Sequence, residues 1–365
     1  MDILIKTLVF IIGLVVVVLT IFSALSTFVL TRAARSQLNR LVFGIMRQIF
    51  DFILGFTRTY EQRDAIMAYY SPLGLMTLVP VWYSLILAGY AAMYWSFGVG
   101  NWFADIRFSG SSLLTLGFAT SDIPVVTVLS FSEALIGLIM VALLMAYLPT
   151  MYAAFSRREQ AVSMLEVRAG NPPSVSEMLQ RFNRIHGLDK HGDYWKIWEA
   201  WFADIEESHT TLPSLVFFRS PRSDSSWITA SGVILDTAAI TLSAVDIPYE
   251  PSGALSIRAG FLALRRIADY FDIPSPQNPK YPEVPISIKR EEFDDLLAKL
   301  EQAGVPLKAD REKAWMDFAG WRVNYDQVLL VLCALVMAPE APWSSDRAPK
   351  HRRAPLLIYK KKKRS

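Results

Sequence analysis

The chain has 365 residues, 52 % of them hydrophobic, with a mean hydropathy of +0.28 and a formal net charge of +3. That length suits two domains rather than one small one. A single cysteine, Cys333, excludes an internal disulfide and offers no thiolate metal set, so the soluble part fits a reducing cytosol. The averages hide an asymmetry. Residues 1–153 carry nearly all the long apolar runs, whereas residues 156–365 have the charge pattern of a soluble protein.

Residues 4–30 are apolar apart from Lys6 and a few hydroxyls. A helix crosses a bilayer with about 20 apolar residues, so this run suffices. It exceeds a signal-peptide core of about 7–15 residues, and no small-residue cleavage site follows, so it reads as a retained span. Residues 41–56 come next. Gly44, Arg47, Gln48, Asp51 and Gly55 recur there at spacings of three and four, a narrow polar stripe on a helix. A helix lying along the inner interface suits so short and charged a run, with a fourth crossing as the alternative.

Residues 72–97 form the second clear span, interrupted by Pro80, with Tyr83, Tyr90, Tyr94 and Trp95 toward its outer end. Residues 125–152 form the third, and Pro149 predicts a kink or an end there. Arg32, Arg35 and Arg40 follow the first span, Arg58 and Arg63 precede the second, and Arg157, Arg158 and Arg168 follow the third. Positive charge marks the cytoplasmic side. The loop 98–124 then faces outward. The N-terminus lies outside with three crossings and inside with four.

In that loop, residues 105–114 predict a short helix, followed by Thr115, Leu116, Gly117, Phe118 and Ala119. Non-helical backbone persists at membrane depth only where it is buried in protein or lines a water-filled cavity. A potassium-type filter uses such backbone, with four copies of a loop presenting carbonyl oxygens in place of an ion's water shell. Thr115 offers hydroxyl and carbonyl oxygens at the inner mouth, and Gly117 admits the dihedrals that turn carbonyls inward. Leu116 and Phe118 would point away from the axis against the pore helices. Asp122 would sit near the outer mouth and concentrate cations. The plainer alternative is an ordinary outer loop joining two helices.

These residues resemble the potassium-channel pore family, whose filter reads Thr-Val-Gly-Tyr/Phe-Gly, often followed by Asp. The resemblance covers roughly residues 72–159: outer helix, pore helix, filter and inner helix. Residues 132–138, Ser-Glu-Ala-Leu-Ile-Gly-Leu, look like the start of such inner helices, with Gly137 near the usual hinge position. Tyr147-Leu148-Pro149-Thr150, then Ser156-Arg157-Arg158-Glu159, look like the cytoplasmic exit of bacterial members. The resemblance implies a homotetramer passing potassium passively, with no cofactor beyond the permeant ion. Two departures stand out. Ala119 replaces the second filter glycine, which predicts an altered or missing outermost ion site. Asp122 is set back by Thr120 and Ser121.

Small residues such as Gly137 also serve close helix packing, so packing and hinge both remain open. Glu133 is costly at membrane depth. It is expected behind the filter, bonded to pore-helix or filter groups, with exposure at the outer interface as the alternative.

Beyond the spans, Asn171-Pro172-Pro173 breaks the helix, and Ser174 with Glu177 forms a capping-box pattern. Helices are predicted over residues 175–185, 194–207, 229–245, 252–271, 290–303 and 324–337. Trp195, Trp198, Trp201 and Phe202 make an aromatic stripe that suits core packing better than a partner face. Residues 229–245 are apolar but short, carry Asp236 and several hydroxyls, and read as a buried helix rather than a span. No phosphate-binding loop, dinucleotide fingerprint or hydrolase triad occurs, so no enzyme is expected. His186, Asp189, His191 and Asp193 cluster in sequence and fit solvated loop polarity better than a metal site.

The expected fold is an all-α membrane protein: an N-terminal transmembrane helix with an interfacial helix (1–71), a pore module (72–159), a mostly α-helical cytosolic domain (160–345) and a basic tail (346–365). The tail's composition reads as disordered, and its lysines would either contact anionic lipid or simply solubilise. The expected setting is the plasma membrane, multi-pass, with the C-terminal domain cytoplasmic. Partners are further copies of the chain and membrane lipid, not nucleic acid. A membrane-anchored sensor or scaffold acting through its helical domain is the competing reading.

Overall fold

The computed structural model describes residues 2–28, 36–188 and 192–349, and the regular structure among them is helical. The chain folds into two compact units, Met1–Ile49 with Tyr70–Ala153, and Phe50–Tyr69 with Ala154–Ser365. Four stretches are long and apolar enough to cross a membrane: Ile3–Phe28, Tyr60–Phe97, Pro124–Ala169 and Trp227–Ala244. The first three leave most of their apolar surface uncovered, whereas the last is 94 % buried inside the protein. A helix already enclosed by its own chain has no apolar face left for lipid. This pattern is compatible with a multi-pass membrane protein.

The first unit is built on α1 (Asp2–Phe28), most of α2 (Gln37–Leu54), α4 (Tyr70–Phe97), α5 (Trp102–Leu113) and the first part of α6 (Pro124–Ala169). Helices α1 and α4 approach closely because two glycines meet: a Cβ on Gly13 would lie 2.5 Å from the Gly89 carbonyl oxygen. Small residues permit such close backbone approach. Lower in the same seam, the fully buried Trp82 indole donates to Ser23 Oγ at 3.1 Å, which satisfies its one polar atom.

The polar stripe of α2 does not face one way. Arg47 is buried and Gly44 and Asp51 are half-buried, while Gln48 and Gly55 are exposed. Leu41, Ile45, Ile49, Phe52 and Phe56 face outward.

Of the kink or end expected at Pro149, the end does not occur: α6, 46 residues long in all, runs from Pro124 through that residue to Ala169. Proline removes one intrahelical donor but need not end a helix where neighbouring groups take up the strain. One turn is braced locally, since Thr150 Oγ1 donates to the Ala146 carbonyl at 3.1 Å.

The second unit contains α3 (Tyr60–Met67), the rest of α6, α7 (Val175–Arg184), α8 (Gly192–Thr211), a 3-10 turn (Pro213–Phe217), α9 (Trp227–Ala244), α10 (Pro251–Tyr270), α11 (Arg290–Gln302), α12 (Arg311–Arg322) and α13 (Asp326–Val336). Ser174 caps α7 by accepting from the Glu177 amide at 3.2 Å. Trp195, Trp198, Trp201 and Phe202 of α8 are all buried, so the aromatic stripe is core. Helix α9 runs through the middle with nearly every residue buried.

Its one charge, Asp236, accepts from Arg322 Nη1 and from the Tyr325 hydroxyl at 2.8 Å. Arg322 also donates Nε to Asp326 at 2.7 Å and Nη2 to the Trp343 carbonyl at 2.7 Å. A buried ion is tolerated when paired and hydrogen-bonded on all sides, as here. Helices α3 and α12 were not expected from the sequence. Both start at side-chain caps: Thr59 accepts from the Gln62 amide, and Asp310 accepts from the Lys313 amide at 2.9 Å.

Candidate functional site

Helix α5 is short, starts at an Asn101 cap whose side chain accepts from the Ala104 amide, and lies in sequence between the two long apolar helices α4 and α6. Its last turn unwinds into the segment 114–123. The unwinding follows a Schellman pattern: the Thr115 amide donates to the Ser112 carbonyl at 3.0 Å, and the Leu116 amide donates to the Ser111 carbonyl at 2.8 Å. Such a cap needs a left-handed residue, and Thr115 supplies it with φ +56. A β-branched residue there is a genuine outlier, costing about 1–2 kcal/mol. Gly117 is left-handed too, with φ +71, at no such cost. Leu116, Phe118 and Ala119 are not left-handed.

Positive φ at alternate residues has a geometric consequence. In an ordinary strand successive carbonyls point to opposite sides, whereas alternating handedness keeps them on one side. The amide bonds fix which side. Leu116 and Gly117 donate to the Ser111 carbonyl at 2.8 and 3.3 Å. Phe118 and Ala119 donate to Ser111 Oγ at 3.0 and 3.1 Å. A trans peptide points its N–H and its C=O in opposite directions. Four consecutive N–H groups turned back onto Ser111 therefore send the carbonyls of Thr115, Leu116, Gly117 and Phe118 away from α5. This row of oxygens belongs to residues that are exposed within the single chain. It also lies beside the C-terminal end of α5, where the helix dipole adds negative potential.

The remaining sequence-predicted residues fall as follows. Thr115 donates its hydroxyl to the Leu114 carbonyl at 2.7 Å. Leu116 and Phe118 are exposed in one chain, and the Phe118 ring lies 5.7 Å from the Arg107 guanidinium of α5. Ala119 is half-buried and Asp122 is exposed in the loop before α6.

Glu133 is completely buried. It accepts from the Tyr94 hydroxyl of α4 at 2.8 Å and from the Ser109 hydroxyl of α5. Ser109 also lies 3.0 Å from the Leu87 carbonyl of α4. Gly137 packs directly on the end of α5, where an added Cβ would lie 2.2 Å from the Leu113 carbonyl oxygen. Its own carbonyl accepts from the Tyr83 hydroxyl at 2.8 Å. The geometry at Gly137 is thus that of close helix packing.

Sequence reasoning passed over Ser111, Ser109 and Arg107, and read Tyr94 only as an aromatic toward the outer end of α4, where the structure buries it against Glu133. The spacing held a usable signal: Arg107 and Ser111 are four apart, so one helical face presents both to the loop that follows. Asp189, His191 and the tail from Lys350 onward lie outside the described residues, as do Arg32 and Arg35. Among the described residues no group of three or more His, Cys, Asp or Glu side chains is placed to hold a metal ion. No family model, curated protein or solved structure matches this chain.

Proposed function

We propose that this chain is one subunit of a passive, potassium-favouring cation channel in the plasma membrane, in which four copies bring their 115–119 loops around a common axis. A single loop cannot surround an ion. The observation that carries the reading is the row of four carbonyls, Thr115 to Phe118, held on one side of a loop that follows α5, within the stretch between two helices long and apolar enough to span a bilayer. Carbonyl oxygens gathered at membrane depth replace the hydration shell of a cation. The buried Tyr94–Glu133–Ser109 cluster supports it, because it ties α4, α5 and α6 together behind the loop. Val125, Val128, Phe131, Leu135 and Leu138 leave an apolar face of α6 uncovered in one chain, suited to neighbouring copies.

The cytoplasmic assignment of the second unit rests on basic residues at the ends of the apolar helices. Arg158 is fully buried in that unit, so Arg157 and Arg168 carry that signal in the last third of α6, beyond its apolar part. Rubidium flux into liposomes containing the purified protein tests the reading, together with its mass in mild detergent. Channel activity with fourfold mass supports it. A monomer or dimer that passes no ion at any voltage, pH or calcium level overturns it in favour of a membrane-anchored sensor or scaffold. Replacement of Gly117 by valine should abolish flux without altering the mass.

A further inference from the structure

We infer that Ser111 is the positioning residue of the loop and that its hydroxyl governs ion discrimination at the outer half. This inference rests on the channel reading above. Ser111 is the acceptor for four consecutive amides, and it meets them with two different atoms. Its backbone carbonyl takes Leu116 and Gly117, so the carbonyls of Thr115 and Leu116 are aimed by the main chain alone. Its side-chain Oγ takes Phe118 and Ala119, so the carbonyls of Gly117 and Phe118 are aimed by a group that one substitution removes. The loop therefore has an inner half held by backbone and an outer half held by one hydroxyl.

Three further observations bear on that half. Ser111 is buried, at 1 % exposure, so water does not replace it as an acceptor. Arg107, one turn earlier on the same face of α5, sets its guanidinium over the Phe118 ring and braces the same residue from its side chain. Ala119 keeps a negative φ, so the capture of its amide by Ser111 Oγ fixes the 118–119 peptide without the left-handed backbone an alanine disfavours. The hydroxyl thus does at Ala119 what a left-handed glycine does at Gly117.

Two orphaned amides in the outer half would let the 117–118 and 118–119 peptides rotate and turn their carbonyls off the ion path. The test is the ratio of rubidium to sodium flux in liposomes for the wild-type chain, Ser111→Ala, Ser111→Thr and Ser111→Cys, with mass and thermal midpoint measured alongside. Loss of a buried acceptor serving two amides should lower the ratio about tenfold in Ser111→Ala. Ser111→Thr keeps the hydroxyl and should keep the ratio. Ser111→Cys keeps the volume but is a weak acceptor and should also lose discrimination. It stands in for Ser111→Ala if the alanine variant does not assemble. A role in folding alone would move the midpoint and leave the ratio unchanged. A conducting wild type whose alanine or cysteine variant assembles and keeps its ratio within about twofold overturns the inference while leaving the channel reading intact. A wild type that passes no ion overturns both.

Discussion

The Tyr94 hydroxyl of α4 donates at 2.8 Å to Glu133 of α6, a carboxyl group with no solvent exposure, while Ser109 of α5 donates to its other oxygen. Three helices therefore meet on one side chain. Glu133→Ala takes the acceptor from the Tyr94 hydroxyl, leaves Ser109 only the Leu87 carbonyl and opens a cavity, so it should cost about 1–3 kcal/mol. Tyr94→Phe removes one donor and should cost about 0.5–1.5 kcal/mol. Thermal unfolding in detergent measures both. A Glu133→Ala protein that melts with the wild type would show that the cluster does not hold the helices.

Gly137 faces backbone rather than a movable side chain, since the nearest atom to an added Cβ is the Leu113 carbonyl oxygen at 2.2 Å. Gly137→Ala must push α6 off the end of α5. Such overpacking typically costs about 1–3 kcal/mol. The expected result is a lower thermal midpoint together with altered flux, because Leu113 ends the helix that leads into the loop. A hinge role alone would change flux while leaving the midpoint in place. The two measurements on one variant separate packing from hinge.

The long elements were legible in the sequence because their signal is local. An unbroken apolar run marks α1, α4 and α6, and the charge on Asp236 within an apolar stretch marks α9 as enclosed rather than lipid-facing. At Pro149 the helix does not end, since proline removes only one intrahelical donor and neighbouring groups can take up the strain. The loop itself was legible through Gly117, whose type suits left-handed backbone, whereas the left-handed turn at Thr115 was not, since a β-branched residue disfavours that conformation. What aims the loop was not legible. Ser111 looks like any small polar residue in a helix, and its role depends on where four later amides turn. Glu133's partners Tyr94 and Ser109 lie 39 and 24 residues away, a separation no local pattern encodes. Helix α12 was missed because its polar composition hides the buried Trp315, Phe318 and Arg322.

Among the described residues Arg322 and Asp236 form the most deeply buried ion pair of the second unit, and Tyr325, Asp326 and the Trp343 carbonyl complete the network. Arg322→Ala strands the Asp236 carboxylate in the centre of α9's surroundings. Removing one partner of such a pair should destabilise the unit by about 3–5 kcal/mol. Chemical unfolding followed by tryptophan fluorescence reads this well, because Trp195, Trp198 and Trp227 lie in the same core. Asp236→Asn keeps an acceptor for Tyr325 and should cost less than Arg322→Ala. Equal stability of Arg322→Ala and the wild type would mean that the network contributes nothing to the core.

His209 gives the second unit a defined response to acid. The ring is fully buried, with Nε2 3.3 Å from Arg158 Nη1 and Nδ1 3.1 Å from Ser208 Oγ. Arginine only donates, so Nε2 is the acceptor and the neutral tautomer carries its proton on Nδ1. Burial first, and the Arg158 charge second, hold the imidazole well below its ordinary value of 6.5. The sign follows directly. Above about pH 6.5 neither the folded nor the unfolded chain protonates this ring, so stability does not depend on it. Below that value the unfolded chain binds a proton that the folded chain refuses, and stability falls by up to about 1.4 kcal/mol per pH unit until the folded ring titrates. The unit should therefore unfold more readily at about pH 5.5 than at about pH 7.5, a window in which most surface carboxylates stay ionised. In His209→Gln the midpoint is expected to be lower throughout, with a flatter slope across that window. An unchanged slope in His209→Gln would assign the acid response to other groups.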